Sequence, residues 1–382
     1  MKNKTRKLTS QLLLSVCLMG LYSLNIQAQI APRSSNVEQS LPLLTLNLTQ
    51  EFAPRPSTTR RLDFQNWSHF LSNVVLNMGP AVRVRAPRVR VSGTRIIKRD
   101  SSPYRLEGNK VIYTLMRDNE KEWLKKYVHD LEILSKEVDI TTLPKDDQLS
   151  YWYNLHNAAV ISLIANNYPV RFPEDLTPLK DSEDTLHDAK ILNIAGVPLS
   201  LRDIREKIVY PNWKNPLVIY GFHHGKLGGP SIALQAYEHN TLSYLLNLNA
   251  DEFINSFRGY RIGKISLLYK EASPFYFPNE EEDVRTHFKR YMRPEVYKLV
   301  ESYETLRWHK SLPQTADVAG GVGYRSSPVV VNFLNRGASS GLPIAFSEVF
   351  KAREVRFRVA RKRGLLKGDV TIDDLDSYAP VN

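Results

Sequence analysis

The chain has 382 residues, 42% of them hydrophobic, a formal net charge of +12 and a single cysteine. That length and apolar content support a sizeable core in one large domain or two smaller ones, so a globular protein is the default. The lone cysteine excludes a disulfide framework within the chain.

Residues 1–28, MKNKTRKLTSQLLLSVCLMGLYSLNIQA, have a basic head, an apolar middle and a small residue at Ala28. This is the pattern of a secretory signal peptide cleaved near Ala28. Gly20, Ser23 and Asn25 break the apolar run, which falls short of the about 20 apolar residues that span a bilayer. Val16 precedes Cys17 where a lipoprotein cleavage site wants a small residue, so simple cleavage is the first reading and lipidation the alternative. The expected mature chain is periplasmic or secreted, has no transmembrane helix and carries no cysteine. A thiol nucleophile, a thiolate metal site and an iron–sulfur cluster are then excluded, and the fold relies on its core.

The positive charge is localised. Lys2, Lys4, Arg6 and Lys7 belong to the signal peptide, residues 83–99 supply seven positive charges and no negative one, and residues 351–367 supply eight positive and one negative. The rest of the mature chain carries a net charge of −6.

Residues 29–61 are rich in Ser, Pro, Thr and Asn without sustained periodicity and read as a linker or flexible arm. A helix is expected over 62–77. In VRVRAPRVRV that follows, Arg83, Arg85, Arg88 and Arg90 fall out of step across Pro87. One reading is an edge strand or loop guarded by charge and proline. The other is an electrostatic contact with anionic cell-envelope polymer, lipid headgroups or nucleic acid. No aromatic interleaves residues 83–99, so base stacking has no platform there and the nucleic-acid signal is weak.

From Asn119, Trp123, Tyr127, Leu131 and Leu134 recur at helical spacing. After Pro144 a second helix starts at Asp146 and Asp147, which suit its positive N-terminus, and stops before Pro169. It is apolar on most sides. Asn154 and Asn157 share one of its faces and either tie it to neighbouring backbone or line a polar site.

Ser200 and Asp203 form a capping-box-like pair at the start of SLRDIREKIVYPNW, which Pro211 stops. PLVIYGF reads as a short strand. The turn HHGKLGG follows, and Pro230 suits the first position of a helix running through SIALQAY, with another helix in NTLSYLLNLNADEFINSF. The glycine-rich stretch ADVAGGVGYRSSP lacks a following GK[ST] and reads as a connector. Residues 344–363 read as a helix with a basic face, and the tail GDVTIDDLDSYAPVN lacks the terminal Glu of an EF-hand loop.

At strand geometry His223 and His224 point to opposite sides, and no HxH or HExxH spacing accompanies them. No metal or other cofactor is expected. One of the pair suits proton transfer near physiological pH. Gly228, Gly229 and Ser231 mark a turn whose amides suit an anionic ligand or oxyanion. The plain alternative is that Ser231 caps its helix.

Three segments in this order and spacing, YWYNLHNAAVISLIANNYP, LSLRDIREKIVYPNW and VIYGFHHGKLGGPSIALQAY, resemble the bacterial exported family known as domain of unknown function 547. The resemblance covers about residues 62–292, including DEFINS and ISLLYKEASPFYF. It implies a mixed helix and strand domain, distantly papain-like, with a thiol-centred site. The family's cysteine places fall on His224 and Gly229 and its histidine place on Glu206, none of which matches. Asn154 and Asn157 match the family's paired asparagines. The chain thus resembles a cysteine-lacking branch.

The expected protein is a helix-rich α+β single domain with a small sheet and a basic helical C-terminal extension. Its parts are a signal peptide (1–28), an arm (29–61), a family-like domain (62–310) and an extension (311–382). The first functional expectation is a cell-envelope binding or scaffold module without thiol catalysis, whose partners are anionic envelope components met by His223, Gly228, Gly229, Ser231, Arg83, Arg85, Arg88 and Arg90. The alternative is a hydrolase of amide or ester bonds with a pocket of His224, Glu206, Asn154 and Asn157.

Overall fold

The computed structural model describes residues 47–84, 104, 106–309, 312–321 and 344–366, which fall within one compact unit, Leu46–Asn382. The expected signal peptide, Arg85, Arg88, Arg90 and the acidic tail lie outside the described residues.

The fold is helix-rich α+β with small sheets, as the sequence leads one to expect. A short helix α1 (Leu48–Glu51) places Leu48 and Phe52 in the core, and the backbone amides of Arg55, Ser57 and Thr58 bond to the carbonyls of Thr141 and Thr142. Residues of the expected arm are therefore fastened to the domain. Helix α2 (Gln65–Val74) buries Trp67, Phe70, Leu71 and Val74, an i, i+3, i+4 stripe. It leads into β1 (Val75–Leu76), antiparallel to β2 (Lys110–Val111).

Helix α3 (Asp118–Glu137) begins with a capping box in which the Arg117 amide donates to Glu120 Oε2 at 2.7 Å. Trp123 and Tyr127 on α3 stack with Phe70 and Trp67 of α2 at centroid distances of 4.8 and 5.3 Å. Helix α4 (Lys145–Asn167) buries 18 of its 23 residues. A helix so enclosed has no solvent face, and its neighbours wrap around it.

The hairpin β3 (Leu192–Ile194) and β4 (Val197–Leu199) runs into the expected reciprocal pair, in which the Ser200 amide donates to Asp203 Oδ2 at 2.8 Å and the Asp203 amide to Ser200 Oγ at 3.1 Å. Asp203–Val209 is a π-helical turn that continues into α5 (Tyr210–Asn212). Two expectations fail just beyond. PLVIYGF is not a strand: Pro216–Gly221 is a 3₁₀ helix, initiated by Pro216 and by Asn215, whose side chain accepts from the Leu217 amide. SIALQAY is not a helix, since residues 230–237 have no regular structure.

Helix α6 (Leu242–Ile254) is the expected one. A three-stranded sheet follows, with β5 (Tyr260–Arg261) antiparallel to β6 (Lys264–Ile265) and β6 parallel to β7 (Arg307–Trp308). Between β6 and β7 lie α7 (Leu267–Tyr276), α8 (Glu281–Tyr291) and α9 (Pro294–Glu301). Residues 312–321 return to the centre, where the amides of Leu227 and Gly228 donate to the carbonyls of Gln314 and Leu312. The basic helix α10 (Ile344–Lys362) packs Phe346, Val349 and Ala352 against Met78, Leu106 and Val318. Arg353, Arg356 and Arg363 donate to the carbonyls of Asn77, Met78, Pro80 and Val82. No helix among the described residues is long and apolar enough to cross a membrane.

The irregular stretch after Gly221 is buried, so its backbone groups need partners other than a helix or a sheet ladder. Side-chain amides supply them. Asn157 Nδ2 donates to the Gly221 carbonyl (2.9 Å) and its Oδ1 accepts from the His223 amide (2.8 Å). Asn154 makes the same double bond to Tyr237, at 2.8 and 3.0 Å. Asn249 Nδ2 reaches the carbonyls of Tyr220 and Ser231, and Asn109 Nδ2 reaches that of Ile232. At Gly221 a Cβ would stand 2.3 Å from the Tyr153 ring, whose hydroxyl donates to the Val218 carbonyl.

Asn157→Leu is expected to destabilise the fold by about 1–3 kcal/mol for each of the two backbone groups it strands. Gly221→Ala should cost a further steric penalty of about 1–3 kcal/mol as overpacking. Urea denaturation of the full chain measures both, and an unchanged midpoint for Asn157→Leu would contradict this role.

Candidate functional site

Three buried imidazoles surround one buried guanidinium at the heart of the domain. His156 comes from α4, His187 from the loop before β3, His224 from the turn after the 3₁₀ helix, and Arg205 from the π-helical turn. Their ring centroids lie 5.5–6.4 Å apart. Arg205 Nη1 donates to His156 Nε2 (3.1 Å) and His187 Nδ1 (3.3 Å), and its Nε donates to Glu271 Oε1 (2.8 Å).

A guanidinium only donates, so these contacts fix the tautomers. His156 accepts on Nε2 and donates from Nδ1 to Asn157 Oδ1 (3.2 Å), while His187 accepts on Nδ1 and donates from Nε2 to the His224 carbonyl (3.3 Å). All three imidazoles are held well below the ordinary histidine range, first by burial and then by the Arg205 charge. Burial opposes the charge on Arg205, but the Glu271 carboxylate outweighs it and raises the guanidinium's pKa. The cluster is thus a closed ion pair carrying neutral imidazoles. A cation within it would face that guanidinium, and no group of three or more His, Cys, Asp or Glu among the described residues could hold a metal.

His224 also lines a small cavity of about 70 Å³, shared with Lys226, Arg258, Ser266, Glu271 and His309. The Nε2 atoms of His224 and His309 and Nε of Arg258 are buried there without hydrogen-bond partners among the described residues. The space admits a few waters or one compact polar group.

His223 makes none of these ring contacts. Its Nδ1 donates to the Pro230 carbonyl (3.1 Å). Burial lowers its pKa to about 4; the bond to Pro230 opposes the shift, and Lys110 and Arg258 add to it. Gly228 and Gly229 sit against Leu312 and His224 as tight packing positions. Ser231 caps no helix, because none starts there: its Oγ donates to Glu252 Oε2 (2.8 Å) and accepts from the Asn109 amide (3.2 Å), beside the buried Glu252–Arg258 ion pair.

The structure therefore brings only His224 of the expected residues into the imidazole cluster, with Asn157 one bond away through His156. Glu206 is half-buried and pairs with Arg202 at 3.0 Å. Asn154 is committed to the Tyr237 backbone. His187, Arg205, Glu271, Lys226, Arg258 and His309 carry no sequence signal of their own, and only their convergence in space marks them.

A second, wider cavity lies elsewhere. A groove of about 480 Å³ between the β5–β6 hairpin, α9 and the end of α10 is lined by Arg83, Arg261, Arg293 and Arg363 with one carboxylate, Glu295. Arg293 pairs with Asp251, whereas Arg83, Arg261 and Arg363 have no ion-pair partner among the described residues. Arg83 is not an exposed edge-strand arginine. Its Nη1 donates to the carbonyls of Ser256 and Tyr260 at 3.1 Å, and its guanidinium stacks on Phe257.

The family model described as "Protein of unknown function, DUF547" matches residues 140–254. That span holds His156, His187, Arg205, His224 and Ser231, and it ends before Arg258, Glu271, His309 and the β5–β6 wall of the groove. No curated protein and no solved structure matches the chain.

Arg205→Met, which strands Glu271 and two imidazole acceptors, is expected to destabilise the fold by about 3–5 kcal/mol, and adding Glu271→Leu should recover much of that loss. Stability should also fall on acidification. His156, His187 and His224, together with His223 and His309 (both lowered to about 4) and His287 (about 3), bind protons near 6.5 when unfolded but resist them when folded, chiefly through burial. Their contribution is complete above 6.5 and is lost as pH drops towards their folded values, by up to about 1.4 kcal/mol per pH unit for each imidazole. Asp317, raised to about 6, and Glu107, also raised, both chiefly by burial, work in the opposite sense, but they are two acids against six imidazoles. Urea midpoints at pH 7 and pH 5 test this, and equal midpoints would refute it.

Proposed function

We propose that this chain is a cell-envelope module that binds anionic partners at the arginine groove and performs no thiol chemistry. The carrying observation is the groove itself, a cavity of about 480 Å³ in which three guanidiniums without ion-pair partners among the described residues face one carboxylate. Such a surplus attracts anions and holds them by charge-assisted hydrogen bonds. The assignment to the envelope rests on the signal-like residues 1–28, and the absence of thiol chemistry on Cys17 being the single cysteine, within that segment. In support of binding over hydrolysis, Asn154, Asn157 and Ser231 spend their polar atoms on backbone and on Glu252, and Glu206 spends its carboxylate on Arg202.

A second reading, acid–base chemistry at His224, draws on one specific observation: its Nε2 is unpartnered beside a cavity that also holds the unpartnered His309 Nε2. A neutral imidazole in that state can take a proton from a bound water or hydroxyl. His224→Gln would abolish any ester or amide hydrolysis, while His223→Gln, whose side chain does not line that cavity, would spare it.

The binding reading is tested with polyphosphate as the probe. The wild-type chain should bind it with an affinity that falls steeply between 50 and 200 mM salt, roughly as expected for several charge contacts. Arg261→Gln combined with Arg363→Gln should weaken it about tenfold or more. If neither polyphosphate nor any other anion binds, or if the double variant binds as well as wild type, the groove has no such role.

A further inference from the structure

The groove is apolar as well as basic. Ile262 (60% exposed), Leu299 (48%) and Tyr303 (37%) are among the exposed large hydrophobic side chains of the protein, and all three line this one cavity. Phe257 and Val296 extend the same wall. Scattered surface hydrophobics need no explanation, but a cluster rimmed by charges marks an interaction site. Here the apolar side chains and the guanidiniums share a single concavity.

The tip of the β5–β6 hairpin adds an independent observation. Ile262 and Gly263 both have positive φ (47° and 66°), as a two-residue turn of the mirror-image type requires. Glycine takes that conformation freely, whereas a β-branched residue does so at a cost of about 1–3 kcal/mol. Asn or Gly would relieve the cost. The chain instead keeps an isoleucine there and leaves it more exposed than any other large hydrophobic residue described. Local stability does not explain that choice, and an apolar contact with a bound ligand does.

Resting on the anion-binding reading of this groove, we propose that its ligand is an anionic amphiphile, a carboxylate or phosphate headgroup joined to an acyl chain. The headgroup meets Arg261 and Arg363, and the chain lies along Ile262, Leu299 and Tyr303. A volume of about 480 Å³ is that of a site for one small molecule, within the usual span of roughly 300–1,000 Å³. It holds a headgroup and the first part of a chain. A fatty acid and a lysophospholipid present the same chemistry to it, and the probes below separate them.

The test is calorimetric titration of the full chain, below the critical micelle concentration, with four probes: dodecanoate, a lysophosphatidate, dodecyl maltoside and polyphosphate. At least one of the first two should bind, which identifies the source, and dodecyl maltoside should bind at least about tenfold more weakly, since it lacks the charge. Ile262→Asn, which relieves the turn and so preserves the fold, should weaken the amphiphile about fivefold to tenfold through lost apolar contact. It should leave polyphosphate unchanged. Arg261→Gln should weaken both. If polyphosphate binds as tightly as the amphiphiles and Ile262→Asn alters neither, the amphiphile proposal is overturned while the anion-binding function stands. If dodecyl maltoside matches the anionic amphiphiles, the proposed headgroup recognition is overturned. If no anionic probe binds, both fail together.

Discussion

Buried backbone that belongs to neither helix nor sheet must still be hydrogen bonded, and much of this domain is arranged around that requirement. The segment between the 3₁₀ helix and α6 runs through the core with no regular partner strand. Residues 225–228 of it bond to the backbone of residues 312–316, and many of its other amides and carbonyls are matched by Asn154 and Asn157 from α4, Asn249 from α6, Asn109 beside β2, and the Arg258 guanidinium, which donates to the Gly229 carbonyl at 2.9 Å. A carboxamide carries a donor and an acceptor on one rigid plane, so it can imitate a peptide group. This explains why α4 is enclosed on nearly every side and yet contains polar residues: the amides are the contacts through which it holds the irregular chain around it.

The same arrangement fixes the imidazole cluster. Asn157 accepts from the His223 amide and from His156 Nδ1 with one oxygen, so the direction of the turn and the tautomer of His156 are set together. With His156 donating towards Asn157, its other nitrogen is left to accept from Arg205. Placement of a charged group at the centre then depends on Glu271, from α7, which balances Arg205 and leaves the surrounding imidazoles neutral. The electrostatics follow from the packing, since burial is the first cause that keeps the protons off and the Arg205 charge it encloses is the second.

Legibility in the sequence followed the range of the interaction. Helices α2, α3, α4 and α6 were visible because their signals are local: apolar spacing, acidic first turns, and the prolines at 144 and 169. The Ser200–Asp203 pair was visible for the same reason. PLVIYGF is ambiguous in the sequence because a short apolar run is the same whether it becomes a buried strand or a buried 3₁₀ helix, and Asn215 decides between them by capping Leu217. The irregular course of SIALQAY is hidden because its hydrogen-bond partners, Asn154 and Ser68, lie 83 and 168 residues away. Arg205 does not stand out within SLRDIREK because its burial depends on Glu271, 66 residues later. The basic segments were visible, but their division of labour was not: Arg353 and Arg356 bind backbone carbonyls, as does Arg83, which also lines the groove with Arg363.

The clasp between α10 and residues 77–82 joins parts of the chain about 280 positions apart. Contacts of such long range form slowly, because the chain between them must first be ordered. The carbonyls of Met78 and Pro80 wait for Arg356, which is among the last described residues to be synthesised. As the N-terminal parts of a chain are made and begin to fold first, the groove can be finished only after the whole domain has been produced. A truncated or still-growing chain that lacks α10 would therefore lack this wall of the groove, and completion of the domain's synthesis becomes the condition for the cavity's shape.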